Sequence, residues 1–528
     1  MDSDQDVLEN WEEEAEIVTA EEVNSWRKET VYNFIPDHLQ YELPSQGTSL
    51  IDQESQISSH YSKQKTESKE PTKKKEITIK EKPEEIIEKI DKKLMISNII
   101  GREFVENEKK MINVVMVGHV DAGKSTLCGN LMMKMKKIDP RVVEMFEIEA
   151  KENGRESWWL AYIMDVIEEE REKGITIEVG RAFLETKNKV VCFLDAPGHK
   201  NYVPNMVSAA AQADIAALVI SARPGEFESG FSKGGQTIEH ILLCRGLGVD
   251  RFIVLVNKMD TINWDQDRYI EIKTKLSQYL TETCKLDPNN VFWIPVSGLL
   301  GQNLIDNFDN WYSGPSFLDC INSISLDPGL FDLPLRMPIM DKSKENGIVL
   351  LGKIESGSLY KGLTVVVLPD KVQLEITEIL GVEDQTILFA EPGMNIRLKV
   401  KGNEDFKQGS ILCDPYDWPV ISDNFVADVW IVELLQHNPL CLPGYSCIIH
   451  IGVCVSECVV EEVISKVDKF QKKKVKSGFL KTGDVGTLRI KLKTPQCLAR
   501  FDEVKAFGRF VLRNEDITVA LGKIMQVN

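Results

Sequence analysis

The sequence predicts an α/β domain with a mostly parallel sheet and flanking helices, followed by two all-β barrels and preceded by a disordered acidic tail. Short Val/Ile/Leu runs alternate with helical stretches from Met111 to about Ile324, which indicates strands buried on both faces of a parallel sheet. The predicted strands are Asn113–Val117, Val190–Leu194, Ile215–Ser221, Phe252–Val256 and Val291–Val296. Beyond Leu333 helices nearly vanish, and short strands between Gly, Pro and Asp turns favour barrels. The first 108 residues are polar and show no sustained period, as in disordered segments.

These patterns divide the chain into four parts. A disordered acidic tail with a charged linker is expected over residues 1–108, and the α/β domain over 109–325. The change from alternating elements to strands alone begins the first barrel, which we expect over 326–418. A turn-rich break then begins the second barrel, which we expect over 419–528.

The distribution of charge restricts the partners. The formal net charge is −19; residues 1–60 hold fifteen acidic and two basic side chains, and residues 101–528 carry a net −9. An acidic surface argues against broad binding to nucleic-acid phosphates, so we expect no sequence-specific binding to nucleic acid. The acidic start excludes a secretory signal, and no run reaches about 18 apolar residues, so we expect no membrane segment and a cytoplasmic protein.

A phosphate-binding loop follows the first predicted strand. The loop matches G-x-x-x-x-G-K-[ST] and precedes a predicted helix over Thr126–Lys136. Its glycines let successive backbone N–H groups face phosphate oxygens, and the helix N-terminus adds positive potential. Lys124 is expected at the β- and γ-phosphates, and Ser125 at Mg²⁺. The predicted nucleotide contacts of the loop are Gly118, His119, Val120, Asp121, Ala122, Gly123, Lys124, Ser125 and Thr126.

A second motif predicts the metal and γ-phosphate contacts. Asp195 ends a predicted strand and can hold Mg²⁺ through water, while the Gly198 N–H can meet the γ-phosphate. Thr176 follows a charged segment and is well placed to close on Mg²⁺ in the triphosphate state. His199 directly follows Gly198, where signalling GTPases place a water-orienting glutamine. The candidate metal ligands are Ser125, Thr176 and Asp195, and the candidate catalytic residues are His199, Lys124 and Thr176.

A third motif identifies the base as guanine. The segment Asn257-Lys258-Met259-Asp260 ends another predicted strand, and the Asp260 carboxylate can accept the ring N–H and the exocyclic amine of guanine. Adenine would leave that carboxylate unpaired, which is heavily penalised. Lys258 would pack its stem along the base, and Ser297-Gly298 suits a backbone contact to the base oxygen. The α/β part is therefore predicted to be a P-loop GTPase domain that binds GTP or GDP with Mg²⁺.

The motifs and the domain order are similar to those of the elongation-factor superfamily of translational GTPases. A closer resemblance, over about residues 109–528, is to the class II release factors, the GTP-binding subunits of the eukaryotic translation termination factor. The stretches that carry it are Arg155–Leu160, Glu178–Ala182, Ala222–Glu228, Lys233–Thr237, Gly352–Gly357, Ile411–Pro415, Pro443–Tyr445 and Gly508–Arg513.

This resemblance implies partners and a mechanism. The barrels would bind the class I release factor, and the protein would be a monomer or form a heterodimer with that factor. GTP hydrolysis on the ribosome would then free the factor to trigger peptide release. His199 would position the attacking water, with Val120 and Ile175 resembling an apolar gate that keeps it away until the ribosome orients it. Asn33–Pro36 in the tail faintly resembles the family's motif for poly(A)-binding protein.

Three other readings stay open. A ribosome-rescue GTPase that partners Pelota shares the fold and chemistry, and His119 and Ile175 resemble that class and the elongation factors. An aminoacyl-tRNA carrier like elongation factor one-alpha is disfavoured by the net −9 of residues 101–528. A non-catalytic scaffold is disfavoured because every candidate catalytic residue is present.

Overall fold

The computed structural model describes residues 109–528, with gaps at 156–157, 166–167, 174–175, 233, 309–310, 326–330, 332, 345–346, 469–472 and 516. The tail predicted over residues 1–108 therefore lies outside the described residues.

The first part of the described chain is an α/β domain, as predicted. Its strands are β1 (Lys110–Val117), β2 (Gly180–Glu185), β3 (Lys189–Asp195), β4 (Ile215–Ser221), β5 (Phe252–Asn257) and β6 (Val291–Pro295). Its helices are α1 (Lys124–Lys134), α2 (Pro140–Glu152), α3 (Trp159–Tyr162), α4 (Glu168–Lys173), α5 (Val203–Gln212), α6 (Glu226–Phe231), α7 (Gln236–Leu247), α8 (Gln266–Gln278) and α9 (Phe317–Ser323).

The six strands form one sheet in the order β2-β3-β1-β4-β5-β6. Strands β3, β1, β4, β5 and β6 run parallel, and only β2 pairs antiparallel, with β3. Strand β4 is buried at every position, which fits a sheet covered by helices on both faces. In this topology the carboxyl ends of β1, β3, β4, β5 and β6 meet at one edge, where ligands of open α/β sheets bind.

Two all-β barrels follow, as predicted. The first contains β7 (Arg336–Lys344), β8 (Ile348–Lys353), β9 (Leu359–Tyr360), β10 (Thr364–Leu368), β11 (Val372–Leu380), β12 (Thr386–Ile387), β13 (Phe389–Ala390), β14 (Asn395–Gly402) and β15 (Ile411–Cys413). The second contains β16 (Val420–Ile431), β17 (Ser446–Ile451), β18 (Cys454–Val467), β19 (Lys474–Val475), β20 (Val485–Leu498), β21 (Arg509–Asn514) and β22 (Ile517–Val527), with helix α10 (Lys505–Gly508).

Each barrel closes through an additional pairing between strands that lie apart in the sheet order. In the first barrel this pairing joins β10 and β11, and in the second it joins β17 and β18. Closure removes the free strand edges, which could otherwise pair with strands of other protein chains. The proposed boundary at residue 325 falls between α9 and β7, and that at 418 falls between β15 and β16.

A buried polar network joins the α/β domain to the first barrel. Asp214, just before β4, accepts hydrogen bonds from the backbone and side-chain nitrogens of Asn113, both at 2.8 Å. The Lys353 ammonium of β8 lies 2.8 Å from the other oxygen of Asp214. Asn395 of β14 donates to the side-chain oxygen of Asn113 at 2.7 Å. The barrel is therefore tied to strand β1, whose far end begins the phosphate-binding loop.

Helix α7 packs the α/β domain against the second barrel. A Cβ added at Gly246 would lie 2.6 Å from a side-chain carbon of Leu521 and 2.7 Å from one of Val511, so these barrel side chains pack directly against the backbone of the helix. On the same helix, Glu239 accepts a hydrogen bond from the Thr518 hydroxyl at 2.7 Å. No helix in the described part of the chain is long and apolar enough to cross a bilayer.

Candidate nucleotide-binding site

The phosphate-binding loop joins β1 to α1 at the carboxyl edge of the sheet. Gly123 lies immediately before α1, and no side chain caps that helix, so its first backbone N–H groups stay free for an anion. Gly123 has φ +95°, and a Cβ there would meet Asn257 Nδ2 at 2.5 Å. Only glycine lets the loop come this close to β5 while holding the left-handed conformation.

Lys124 occupies a buried position inside the loop. Its ammonium donates to the carbonyl oxygens of Gly118 at 3.2 Å and His119 at 3.0 Å. Burial lowers the pKa of Lys124, and the nearby Asp195 carboxylate opposes that effect. A Cβ at Gly198 would stand 2.5 Å from the Lys124 ammonium, so the Gly198 backbone lies directly beside that ammonium. The structure thus places Lys124 next to Gly198, two residues for which the sequence predicts contacts to the γ-phosphate.

The three predicted metal ligands lie around one point of the site. The hydroxyl oxygens of Ser125 and Thr176 are 3.2 Å apart. Asp195 is fully buried, and neither of its carboxylate oxygens makes a regular hydrogen bond within the described part of the chain. Two hydroxyls beside a buried carboxylate form a set of hard oxygen donors, which suits Mg²⁺.

Two buried carboxyl groups with raised pKa values lie among these donors. Burial raises the pKa of Asp195 to about 6, opposed by the Ser125 hydroxyl and the Lys124 ammonium. A further buried carboxylate, Asp165, accepts a hydrogen bond from the Thr176 hydroxyl at 3.4 Å. Burial and the neighbouring Asp195 and Glu170 raise the pKa of Asp165 to about 8. The raised pKa values show that the ionised forms of both groups are disfavoured by burial, and a cation bound at this point would stabilise those ionised forms.

Asn257 connects the phosphate loop to the predicted base loop. Its Nδ2 donates to the Ala122 carbonyl at 2.8 Å, and its Oδ1 accepts from the Gly298 N–H at 2.7 Å. Asn130 of α1 donates to the Gly298 carbonyl at 2.8 Å. Ser297 is fully buried beside Gly298. One amide side chain therefore fixes the spacing between the two ends of the site.

The remaining base-site residues follow β5 directly. Lys258 has φ +63°, and its ammonium lies 2.7 Å from Glu226 of α6, which holds the side chain in a fixed direction. Asp260 lies in a single helical turn over Met259–Ile262 and is half-buried. The predicted base-site residues thus stand at the ends of β5 and β6, on the same edge as the phosphate loop.

His199 begins the turn that follows Gly198. The ring is half-buried, and its Nδ1 accepts a hydrogen bond from the Asn201 N–H at 3.3 Å. Val120 reaches the same region, because a Cβ at Gly198 would meet its backbone nitrogen at 3.2 Å. Ile175, the other residue of the predicted gate, lies outside the described residues.

The rest of the predicted loop residues differ in exposure. His119 is half-buried, and burial followed by the Lys124 charge lowers its pKa. Asp121 is exposed with φ +59°, and Thr126 is half-buried on α1. These residues line the loop without a described contact to the metal ligands.

Sequence reasoning missed three side chains that hold the site. His240 accepts a hydrogen bond from the Gly118 N–H at 3.1 Å, and Gln236, also on α7, accepts one from the Val120 N–H at 3.5 Å. Asp165 contacts Thr176 as described above. Gln236 lies in the stretch Lys233–Thr237 that carries the family resemblance, but neither that stretch nor the sequence around His240 and Asp165 indicated a contact with the site. The available signal was indirect: a histidine and a glutamine four residues apart point from one face of a helix.

Most of the chain is similar to known GTP-binding proteins of translation. Residues 109–340 match the family described as "Elongation factor Tu GTP binding domain", and residues 424–525 match "GTP-eEF1A C-terminal domain-like". The eukaryotic peptide chain release factor GTP-binding subunit of Schizosaccharomyces pombe is 40% identical over 443 residues, covering 82% of this chain and 66% of that protein. The protein of the same name from Zygosaccharomyces rouxii is 37% identical over 459 residues, covering 85% of this chain and 67% of that one. The chain thus spans about two thirds of the length of these relatives.

A solved structure supports the shared fold. The Ski7 GTPase-like domain of S. cerevisiae, bound to GTP, aligns with a TM-score of 0.68 at 17% identity, covering 79% of this chain and 97% of that one. At this identity the match concerns the fold alone.

Proposed function

Because this chain belongs to the family of eukaryotic peptide chain release factor GTP-binding subunits, we propose that it is a GTPase of translation termination. In this role it binds GTP and the class I release factor, and hydrolyses GTP on the ribosome to promote peptide release. The observation that carries the proposal is the meeting of Lys124, Ser125, Thr176 and Asp195 at the end of the phosphate loop, in a chain of this family.

The phosphate loop supplies the contacts to the nucleotide in this proposal. The free N–H groups at the start of α1 would bind phosphate oxygens, and Lys124 would exchange its two carbonyl partners for the β- and γ-phosphates. Gly198 would offer its N–H to the γ-phosphate, since its backbone lies beside the Lys124 ammonium that would bind the same phosphate. Asp260 would accept both donors of guanine, which excludes adenine.

Ser125, Thr176 and Asp195 would hold Mg²⁺, as their oxygen donors fit that ion. Mg²⁺ bound there would neutralise charge on the β- and γ-phosphates as it develops. Asp195, buried without a regular hydrogen bond, would gain a partner, and Thr176 would be held next to Ser125.

His199 would orient the water that attacks the γ-phosphate. Since its Nδ1 accepts the Asn201 N–H, the neutral ring carries its hydrogen on Nε2. An Nε2–H donor can hold the oxygen of a water molecule in line with the phosphate, which is the main requirement of phosphoryl transfer. The half-buried ring would take up this position once the ribosome orients it, which makes hydrolysis slow in the free protein.

The partners extend the same proposal. The barrels would bind the class I release factor, the protein would act as a monomer or in a heterodimer with that factor, and the tail would contact poly(A)-binding protein. A factor of translating ribosomes would act in the cytoplasm. The net −9 of residues 101–528 favours recognition of a protein partner over a carried tRNA.

Stimulated hydrolysis tests the proposal. Single-turnover GTP hydrolysis is measured with the full chain alone, with ribosomes halted at a stop codon, and with those ribosomes plus the class I release factor. We expect slow hydrolysis alone and fast hydrolysis only in the complete mixture, with peptide release in parallel. Stimulation by Pelota on ribosomes halted without a stop codon, in place of the release factor, would assign the chain to ribosome rescue. Hydrolysis that neither mixture stimulates would contradict both assignments.

A further inference from the structure

A buried carboxylate on α4 forms hydrogen bonds with the backbone of the segment that carries Thr176. Glu170 is 2% exposed, and its Oε1 accepts hydrogen bonds from the backbone N–H groups of Ile177 at 2.8 Å and Glu178 at 2.9 Å. A carboxylate that accepts two backbone donors forms charge-assisted bonds, which are stronger than neutral ones. Glu170 therefore fixes the two peptide groups that directly follow Thr176.

A second side chain holds the same segment from the opposite side of the peptide. Asn205 of α5 donates its Nδ2 hydrogen to the Ile177 carbonyl at 2.7 Å. The N–H and the C=O of Ile177 are thus both bound to side chains of different helices. This leaves little freedom for the chain at Thr176, whose hydroxyl lies 3.2 Å from that of Ser125.

Helix α4 is itself anchored, so Glu170 is a fixed support. The Arg171 guanidinium lies 2.9 Å from Glu149 of α2 and donates to the Asp165 carbonyl at 3.0 Å. Arg155 donates to the Arg171 carbonyl at 3.3 Å. Contacts to α2 thus hold α4 in place, and α4 in turn holds the backbone at residues 177–178, next to Thr176.

We propose that Glu170 is a positioning residue that places the Thr176 hydroxyl beside Ser125 for recognition of the triphosphate. The inference rests on the proposed function, because it takes Thr176 to act with Mg²⁺ and the γ-phosphate. Glu170 does not touch the nucleotide; it acts through the peptide groups of Ile177 and Glu178.

This role has a consequence for nucleotide selectivity. A contact that exists only when the γ-phosphate is present contributes to the affinity for GTP and leaves the affinity for GDP unchanged. Loss of Glu170 must therefore lower the preference for the triphosphate, whereas general damage to the fold lowers both affinities together.

The experiment measures Kd for GDP and for a non-hydrolysable GTP analogue, both with Mg²⁺, using the full chain. For Glu170→Ala we expect the affinity for the analogue to fall about tenfold or more, as for a lost charge-assisted hydrogen bond, with the affinity for GDP within about twofold. Glu170→Gln retains one acceptor oxygen and should recover part of the loss. Glu178→Gln, an exposed carboxylate in the same segment, is the matched control and should leave both affinities unchanged.

A second variant and a second readout guard against simple misfolding. Asn205→Ala removes the hydrogen bond to the Ile177 carbonyl. It should also lower the affinity for the GTP analogue and not that for GDP, by a smaller factor than Glu170→Ala. Amide hydrogen exchange in the nucleotide-free protein should become faster at residues 177–178 in Glu170→Ala and stay unchanged in Glu178→Gln. Equal losses for both nucleotides, or wild-type affinities in Glu170→Ala, would overturn the role of Glu170. A wild-type chain that binds neither nucleotide would overturn the proposed function, and this inference with it.

Discussion

The Nδ1 atom of His240 lies 3.1 Å from the backbone nitrogen of Gly118 and accepts its hydrogen bond. The neighbouring residue on α7, Glu239, accepts a hydrogen bond from Thr518 of the second barrel. Burial lowers the pKa of His240 to about 3, so the ring is neutral at physiological pH and keeps its acceptor. One turn of α7 therefore touches both the phosphate loop and a barrel.

Replacing His240 should weaken nucleotide binding by loosening the loop. His240→Ala leaves the Gly118 N–H without an acceptor, at a cost of about 1–3 kcal/mol. We expect a lower Tm and weaker binding of both GDP and the GTP analogue, measured by thermal unfolding and titration. His240→Asn, which keeps an acceptor near the Nδ1 position, should lie between alanine and wild type. The control is His437→Ala, whose ring is 68% exposed. If His240→Ala binds both nucleotides like the control, the hydrogen bond does not support the loop.

The buried Asp214–Lys353 pair should dominate the stability of the contact between the α/β domain and the first barrel. Lys353→Met leaves the Asp214 carboxylate without its cation, and removing one partner of a buried pair costs about 3–5 kcal/mol. The double variant Asp214→Asn with Lys353→Met removes the unpaired charge of Asp214 and keeps an acceptor for the Asn113 donors, so it should recover part of that loss in denaturant unfolding, while Glu355, 3.7 Å from Lys353, still lacks its cation. Lys493→Met, from an exposed pair with Glu457, should change stability by less than about 1 kcal/mol. A Lys353→Met loss as small as that of the exposed control would contradict the burial argument.

His450 in the second barrel should make the free energy of unfolding decrease as the pH is lowered. Burial, with a smaller effect of Arg513, lowers the pKa of His450 to about 4, below the ordinary value of 6.5. The unfolded chain therefore binds a proton between those values and the folded chain does not, so stability is present above about pH 6.5 and is lost as the pH falls towards 4. Between pH 7 and pH 5 the wild type should lose about 2 kcal/mol more than His450→Gln, measured by urea unfolding. Parallel losses in the two proteins would show that this histidine titrates normally.

Asp260→Asn should change the base preference. The amide that replaces the carboxylate donates where guanine also donates, so we expect GTP affinity to fall about 100-fold or more and xanthine nucleotides to be preferred. Competition titration with GTP and XTP measures the change, and the exposed Asp267→Asn on α8 serves as the control. Unchanged GTP affinity would refute the assignment of Asp260 to the base.

His199→Ala should separate binding from hydrolysis. The ring makes no described contact with the phosphate loop, so GTP and GDP affinities should stay within about twofold of wild type, while ribosome-stimulated hydrolysis falls by about 10²-fold or more. Single-turnover assays with and without ribosomes measure both effects. Stimulated turnover within a few-fold of wild type would remove His199 from the reaction.

Sequence patterns located the sheet because each parallel strand is a continuous apolar run. The run Ile215–Ser221 coincides with β4, and Phe252–Val256 differs from β5 by one residue. The predicted helix over Thr126–Lys136 begins two residues earlier, at Lys124, because Gly123 already turns the chain. Strand β2 was missed, since Gly180–Glu185 alternates buried and half-buried positions at a sheet edge and pairs antiparallel to β3.

The motifs name the residues that we expect to contact the nucleotide, but they do not indicate which side chains hold those residues in place. Lys124, Ser125 and Asp195 follow strand ends, so parallel topology alone brings them together. Glu170, Asn205 and His240 act through backbone groups of other segments, and a backbone N–H has no sequence signature. Such supporting contacts depend on the distance between helices, which periodicity does not give.

A binding titration tests most directly whether the partner of this chain is the class I release factor. The full chain, with Mg²⁺ and a non-hydrolysable GTP analogue, is titrated separately with purified class I release factor and with Pelota. We expect clearly tighter binding to the release factor, and weaker binding when GDP replaces the analogue. Tighter binding to Pelota would contradict the role in termination and assign the chain to ribosome rescue.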